Sequence, residues 1–362
     1  MRTPLASLAV LLNLAAAQAA IDPAREVIVR WPAGHEVRHV QLLKEAGVTV
    51  ALLAWPGAPA TEPFAKACQA AGIAPVAELA AAQNPDQARA LRERARAAGF
   101  AGIAVEADAF PDEKALAAFL AERKGLDALV FLKPEQIHWR VAPAHAVLRE
   151  GQWPGIRRLP DRRSAEDFQV SSASREPWLD ANSYLVSFLR AWFPERAALL
   201  GYRPDEAAGV KPDRMLPYYS LELALVEAMA AGGNVILSLP ERHHAALLAG
   251  HAEALAAWRA LAVLAAFLRQ HGEWFREPPG SSIVVAAGAL EQSGEILNML
   301  YRRNASPAVV PVTAIPPLSP GRYRAAAAAN VPPPPAGQKR LLDFARAGGL
   351  LMTAPAEGAP AW

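Results

Sequence analysis

Two stretches of this chain concentrate side chains able to carry hydrolytic chemistry. The first, Ile103-Ala-Val-Glu106-Ala-Asp108, ends an apolar run in two carboxylates. Side chains alternate along a strand, so Glu106, Asp108 and Ala104 share one face. A carboxylate at the end of an apolar strand must reach solvent or a partner, because burying it alone is costly. Glu106 is therefore either a general acid/base, or half of an ion pair with a nearby arginine, or a helix cap. The second stretch runs Ser171-Ser-Ala-Ser-Arg175-Glu176-Pro-Trp178-Leu-Asp180-Ala-Asn182-Ser-Tyr184. Asp180 or Asn182 suits a helix N-cap, but capping does not call for Arg175, Glu176 and Trp178 beside it. Such a loop can hydrogen-bond to a ligand and stack an indole on its apolar face.

Hydrolysis by paired carboxylates needs a proton donor and a nucleophile or base. Glu106 is the candidate donor, with Glu176 or Asp180 as the second carboxylate. Candidate substrate-binding residues are Asp108, Arg175, Trp178 and Asn182, together with Tyr202 and Arg203 at the end of a later apolar run and Trp31 at the end of the first. Glu78 is a lesser candidate. The segment 133–160 adds Glu135, His138, Trp139, His145, Trp153 and Arg157, mostly as packing.

Other chemistries find no support. His243 and His244 are adjacent, so on a helix they point apart and do not form an i,i+4 metal pair. The chain has no Gly-x-Ser-x-Gly elbow, no phosphate loop and no His-Glu-x-x-His. No metal and no cofactor are expected.

These residues hang on a repeating unit of an apolar run, a break and an amphipathic segment. The apolar runs are Val27–Trp31, Val48–Trp55, Ala74–Leu79, Gly102–Glu106, Ala128–Leu132, Phe168–Ser172, Ala197–Tyr202 and Asn234–Leu239. Runs that do not strictly alternate suit parallel strands covered on both faces. Helical patterns lie between them at Glu36–Ala46, Thr61–Ala71, Pro85–Ala98, Pro111–Arg123, Ala181–Trp192, Pro217–Ala231 and Arg242–His271. Gly47, Gly72 and Gly99 follow the first three as left-handed C-caps, and Thr61 and Asp86 mark helix starts. The stretch from Lys133 to Asp167 reads as a long loop.

Trp31-Pro-Ala-Gly34 lacks a glycine fingerprint for dinucleotides. The alternation therefore favours an α/β fold, a (β/α)8 TIM barrel over 21–277, whose site lies at the C-terminal ends of the strands. Strands at Ser281–Ala287, Ala308–Ile315, Arg322–Asn330 and Gly349–Thr353, with helices Leu290–Asn304 and Gln338–Ala347, predict a small or incomplete open parallel α/β module over 278–362.

A short basic start, the apolar stretch Leu8–Ala17 and Ala17-Gln-Ala19 predict a signal peptide over 1–20, and with it a periplasmic or secreted destination. No later segment is long and apolar enough to span a membrane. A net charge of +2 gives no reason to invoke nucleic acid. Cys68 is the only cysteine, which rules out an intrachain disulfide.

Taken together, Gly102-Ile-Ala-Val-Glu106, Arg175-Glu-Pro-Trp-Leu-Asp-Ala-Asn182, Gly232-Gly-Asn-Val-Ile-Leu237, Leu297-Asn-Met-Leu-Tyr-Arg-Arg-Asn304 and Ala347-Gly-Gly-Leu-Leu351 resemble bacterial glycoside-hydrolase-like barrel proteins distantly related to β-galactosidases. The resemblance implies an oligosaccharide or polysaccharide substrate, an acid/base at the position of Glu106, and a trailing module similar to class I glutamine amidotransferases that supports homo-oligomers. Tyr202 and Arg203 stand where the family carries its nucleophile, and Val105 where it has an asparagine. An inactive carbohydrate-binding or assembly barrel is thus the alternative to an extracytoplasmic glycosidase. The module shows no cysteine nucleophile after its strands, so amidotransferase activity is not expected.

Overall fold

The computed structural model describes residues 21–57, 59–80, 82–149, 182–201, 218–275, 277, 280–329 and 332–354. Eight parallel strands close into a barrel in chain order: β1 (Ile28–Trp31), β2 (Val50–Ala54), β3 (Ala74–Glu78), β4 (Gly102–Glu106), β5 (Asp127–Leu132), β6 (His145–Leu148), β7 (Leu199–Gly201) and β8 (Asn234–Ser238). Ile28 pairs with Val50 on one side and with Ile236 on the other, which closes the ring.

Side-chain alternation divides each strand between two cores. Ile28, Val50, Leu52, Val76, Ala104, Leu129, Phe131, Val147, Leu199 and Ile236 fill the interior of the barrel. Val29, Trp31, Ala51, Leu53, Ile103, Val105, Val130 and Leu237 face the surrounding helices. Both faces are buried, which explains why the strands read as continuous apolar runs.

The sixth strand is a correction. It lies at His145–Leu148, inside the stretch read as a loop, and pairs directly with β5 and β7. The run at 168–172 lies outside the described residues. Four residues carrying a histidine, two positions after Pro143, make too short an apolar pattern to register. Pairing with β5 supplies what local propensity lacks.

The helices around the ring are α1 (Val40–Glu45), α2 (Glu62–Ala70), α3 (Pro85–Ala97), α4 (Glu113–Ala121), α5 (Ser183–Trp192), α6 (Tyr219–Ala230), α7 (Glu241–Leu248) and α8 (Ala252–Gln270). Gly47, Gly72 and Gly99 adopt φ of 64°, 79° and 83° behind α1, α2 and α3, as their positions predict. The cap of α3 is Asn84, which accepts the Gln87 N–H at 3.0 Å, rather than Asp86. The pattern read as one helix over 242–271 is two, broken at Gly250 (φ 74°) with a 103° bend. No single described helix is long and apolar enough to cross a membrane.

Beyond the barrel, β9 (Ile283–Ala287), α9 (Leu290–Tyr301), β10 (Ala308–Pro311), β11 (Ala325–Ala329), α10 (Pro335–Arg346) and β12 (Leu350–Ala354) form an open parallel sheet in the order β10-β9-β11-β12. Leu341 and Phe344 of α10 cover one face. The other packs on Leu297 of α9 and on Phe188 of the barrel helix α5. Ser187 and Tyr301 are hydrogen-bonded across this junction.

Candidate functional site at the mouth of the barrel

The interior alternation continues upward from its apolar layers. Two residues above Ile28 on β1 is Arg30; above Val76 on β3 is Glu78; above Ala104 on β4 is Glu106; above Val147 is Arg149; above Ile236 on β8 is Ser238. Arg149 extends the sheet by one residue, its N–H donating to the Leu132 carbonyl at 2.9 Å. The uppermost inward-facing layer of the barrel, where a strand's C-terminal end opens to the βα loops, is thus polar at these five positions, with Ala54 and Gly201 above Leu52 and Leu199.

Its members form two ion-pair clusters. On one side Arg30 Nε donates to both carboxylate oxygens of Glu78, at 2.8 and 2.9 Å. The Glu78 side chain is only 8% exposed, so the guanidinium supplies the compensation its burial requires. From the adjacent strand β4 onward, Arg149 Nη1 donates to Glu106 Oε2 at 2.9 Å and to Asp108 Oδ2 at 3.2 Å. Lys133 Nζ stands 2.8 Å from Asp108 Oδ2, and Gln136 Nε2 donates to Asp108 Oδ1 at 3.2 Å. Burial works against charge on Asp108, but hydrogen bonding and attraction from Lys133 and Arg149 outweigh it and hold its carboxyl below the usual range.

Glu106 and Asp108 therefore come together at the mouth, in contact with the same cation. Arg175, Glu176, Trp178, Asp180, Tyr202 and Arg203 lie outside the described residues. Two other expected binding residues are corrected. Asn182 is fully buried; its amide donates to Glu227 Oε2 at 3.0 Å and its backbone N–H to Glu227 Oε1 at 3.1 Å. It stands at the N-cap of α5 without a side-chain cap bond, because its amide satisfies the buried carboxylate of α6 instead. Trp31 is also fully buried, facing outward with its ring edge-on to His244 at 4.5 Å, so it offers no stacking face.

Arg30, Arg149 and Ser238 were not among the residues expected here. Their signal is a polar residue two positions beyond a buried interior one, as in Ile28-Val-Arg30 and Ile236-Leu-Ser238. For Arg149 the signal was lost with its strand.

Behind β1 and β8 sits a buried histidine group. His39 Nδ1 bonds the Gly34 carbonyl at 2.8 Å, and His35 Nε2 bonds the Trp31 carbonyl at 3.0 Å. Burial, with His35 and His39 nearby, pushes His244 down to about 4. Among the described residues no three His, Cys, Asp or Glu side chains are grouped to hold a metal. Clefts of about 430 and 500 Å³ open at the opposite, N-terminal end, around Arg25, Met229 and Gly272, away from Glu106.

No family model matches the chain, and no curated protein matches it. Among solved structures, the exo-β-1,4-mannosidase Op5Man5 from Opitutaceae bacterium strain TAV5 aligns over 95% of this chain and 81% of its own, with a TM-score of 0.57 and 15% identity. A point mutant of mandelate oxidase aligns over 69% of this chain and 74% of its own, with a TM-score of 0.40 and 16% identity. The likeness to the mannosidase is one of fold.

Proposed function

We propose that this protein is a glycoside-hydrolase-like barrel that binds an oligosaccharide at its C-terminal mouth and cleaves it with paired carboxylates. The observation that carries this reading is Glu106, inward-facing at the end of β4, beside Asp108 and bonded to Arg149. The mannosidase likeness supports it at the level of fold.

Glu106 accepts a guanidinium N–H from Arg149, and Glu176 or Asp180 supplies the second carboxyl. Carboxyls about 5 Å apart would give retention, and about 6.5–9.5 Å inversion. Export follows from the signal peptide, and the C-terminal sheet is a partial amidotransferase-like module that supports self-association.

A second reading, glycan binding without hydrolysis, is favoured by one observation: Glu78 and Glu106 are both tied to arginines. A panel of aryl-glycosides and neutral oligosaccharides incubated with wild type and Glu106→Gln separates the two. Hydrolysis by wild type alone supports the glycosidase. Binding of a sugar with no hydrolysis by either supports the second reading, and neither binding nor hydrolysis defeats both.

A further inference from the structure

Ser238 is 2% exposed and its hydroxyl has no hydrogen-bond partner. A buried hydroxyl without a partner is destabilising, and such groups are rare enough to need a reason. Its strand neighbour supplies one. Ser238 is the Cα partner of Arg30 across the β1–β8 seam, and both side chains face the interior above Ile28 and Ile236. Arg30 spends only Nε on Glu78; among the described residues its two terminal amino groups carry no hydrogen bond, and the side chain is 27% exposed. Ser238 and Arg30 are thus neighbours across the seam at the mouth, a hydroxyl and two terminal amino groups that make no hydrogen bond among the described residues.

The charge around them limits what they can hold. Glu78 balances Arg30, and Glu106 and Asp108 balance Arg149 and Lys133. Among the described residues of the mouth no cation is left over for a uronate or a phosphosugar. Donors on a neutralised pair suit hydroxyl and ring oxygens.

Building on the glycan reading above, we infer that Ser238 and the terminal amino groups of Arg30 form a subsite that positions vicinal oxygens of a neutral pyranose. A residue kept for a ligand is spared the usual penalty of removal. Ser238→Ala deletes a group that makes no bond in the free protein, so its melting temperature stays level or rises, while ligand affinity falls.

The test is calorimetry and thermal shift with cellobiose, β-1,4-mannobiose, lactose and digalacturonate on wild type, Ser238→Ala and Arg30→Lys. At least one neutral disaccharide binds wild type, and digalacturonate binds tenfold or more weakly. Ser238→Ala weakens the neutral sugar roughly threefold to tenfold, the worth of one hydrogen bond, with no loss of melting temperature. Arg30→Lys, which keeps the charge on Glu78, weakens it as well. Equal affinity in both variants, preference for digalacturonate, or a lower melting temperature for free Ser238→Ala overturns the subsite and leaves the glycan reading standing. Failure of wild type to bind any of the four sugars overturns both.

Discussion

One terminal nitrogen of Arg149 is shared between two carboxylates, 2.9 Å from Glu106 Oε2 and 3.2 Å from Asp108 Oδ2. Because the Arg149 side chain is only 10% exposed, the three groups depend on one another. Removing the guanidinium leaves Glu106 facing Asp108, with Lys133 still beside Asp108. Arg149→Met is expected to cost about 2–4 kcal/mol in urea unfolding, somewhat under the range for stranding a fully buried charge. Glu106→Gln, which keeps a hydrogen-bond acceptor for Arg149, costs less. Equal stability of the two variants would show that Arg149 is not the centre of this cluster.

His244, packed behind β1, is expected to contribute to acid stability. His244 is pushed to about 4 by burial first and by His35 and His39 second, against Trp31 on β1. A histidine whose value in the folded chain lies below its unfolded 6.5 binds protons more readily when unfolded. Its contribution is therefore complete above about pH 6.5 and is lost as pH falls toward about 4, on the order of 3 kcal/mol in all. Urea midpoints measured from about pH 7.5 to about pH 4.5 should fall along this window, and His244→Phe should flatten the fall. A parallel decline in both proteins would place the acid sensitivity in other groups.

Gly201 on β7 makes room for the interior aromatic of β5. A Cβ there would stand 3.0 Å from Phe131 Cε1 and 3.1 Å from Val147 Cγ1. Gly201→Val should destabilise by about 1–3 kcal/mol through overpacking. Phe131 is the Cα partner of Glu106, so its displacement also disturbs the mouth. Thermal melts check the first effect, and sugar affinity at a temperature where the variant is folded checks the second.

The barrel was legible because buried parallel strands leave apolar runs that need no tertiary information to see; β4 was read at its observed bounds. The exception, β6, has four residues and takes its identity from pairing with β5. That error hid Arg149, which sits in a stretch read as loop, and with it the partner of Glu106. Asn182 failed for a related reason. Its type and its neighbours suggested a binding loop, but the buried Glu227, 45 residues on, claims its amide. A carboxylate in the middle of the apolar pattern Leu221–Met229 needs a buried partner and was the available clue. Arg30 and Ser238 were readable in principle, by carrying the interior alternation two residues past the last apolar position of β1 and β8.

The most direct test of the central claim is the hydrolysis rate of the best oligosaccharide from the panel, for wild type and Glu106→Gln at matched folded fraction. A carboxylate that takes part in bond cleavage predicts a loss of roughly a hundredfold to ten-thousandfold in kcat with sugar affinity largely kept. Identical turnover by the two proteins would contradict the assignment of Glu106 and move the chemistry away from the end of β4.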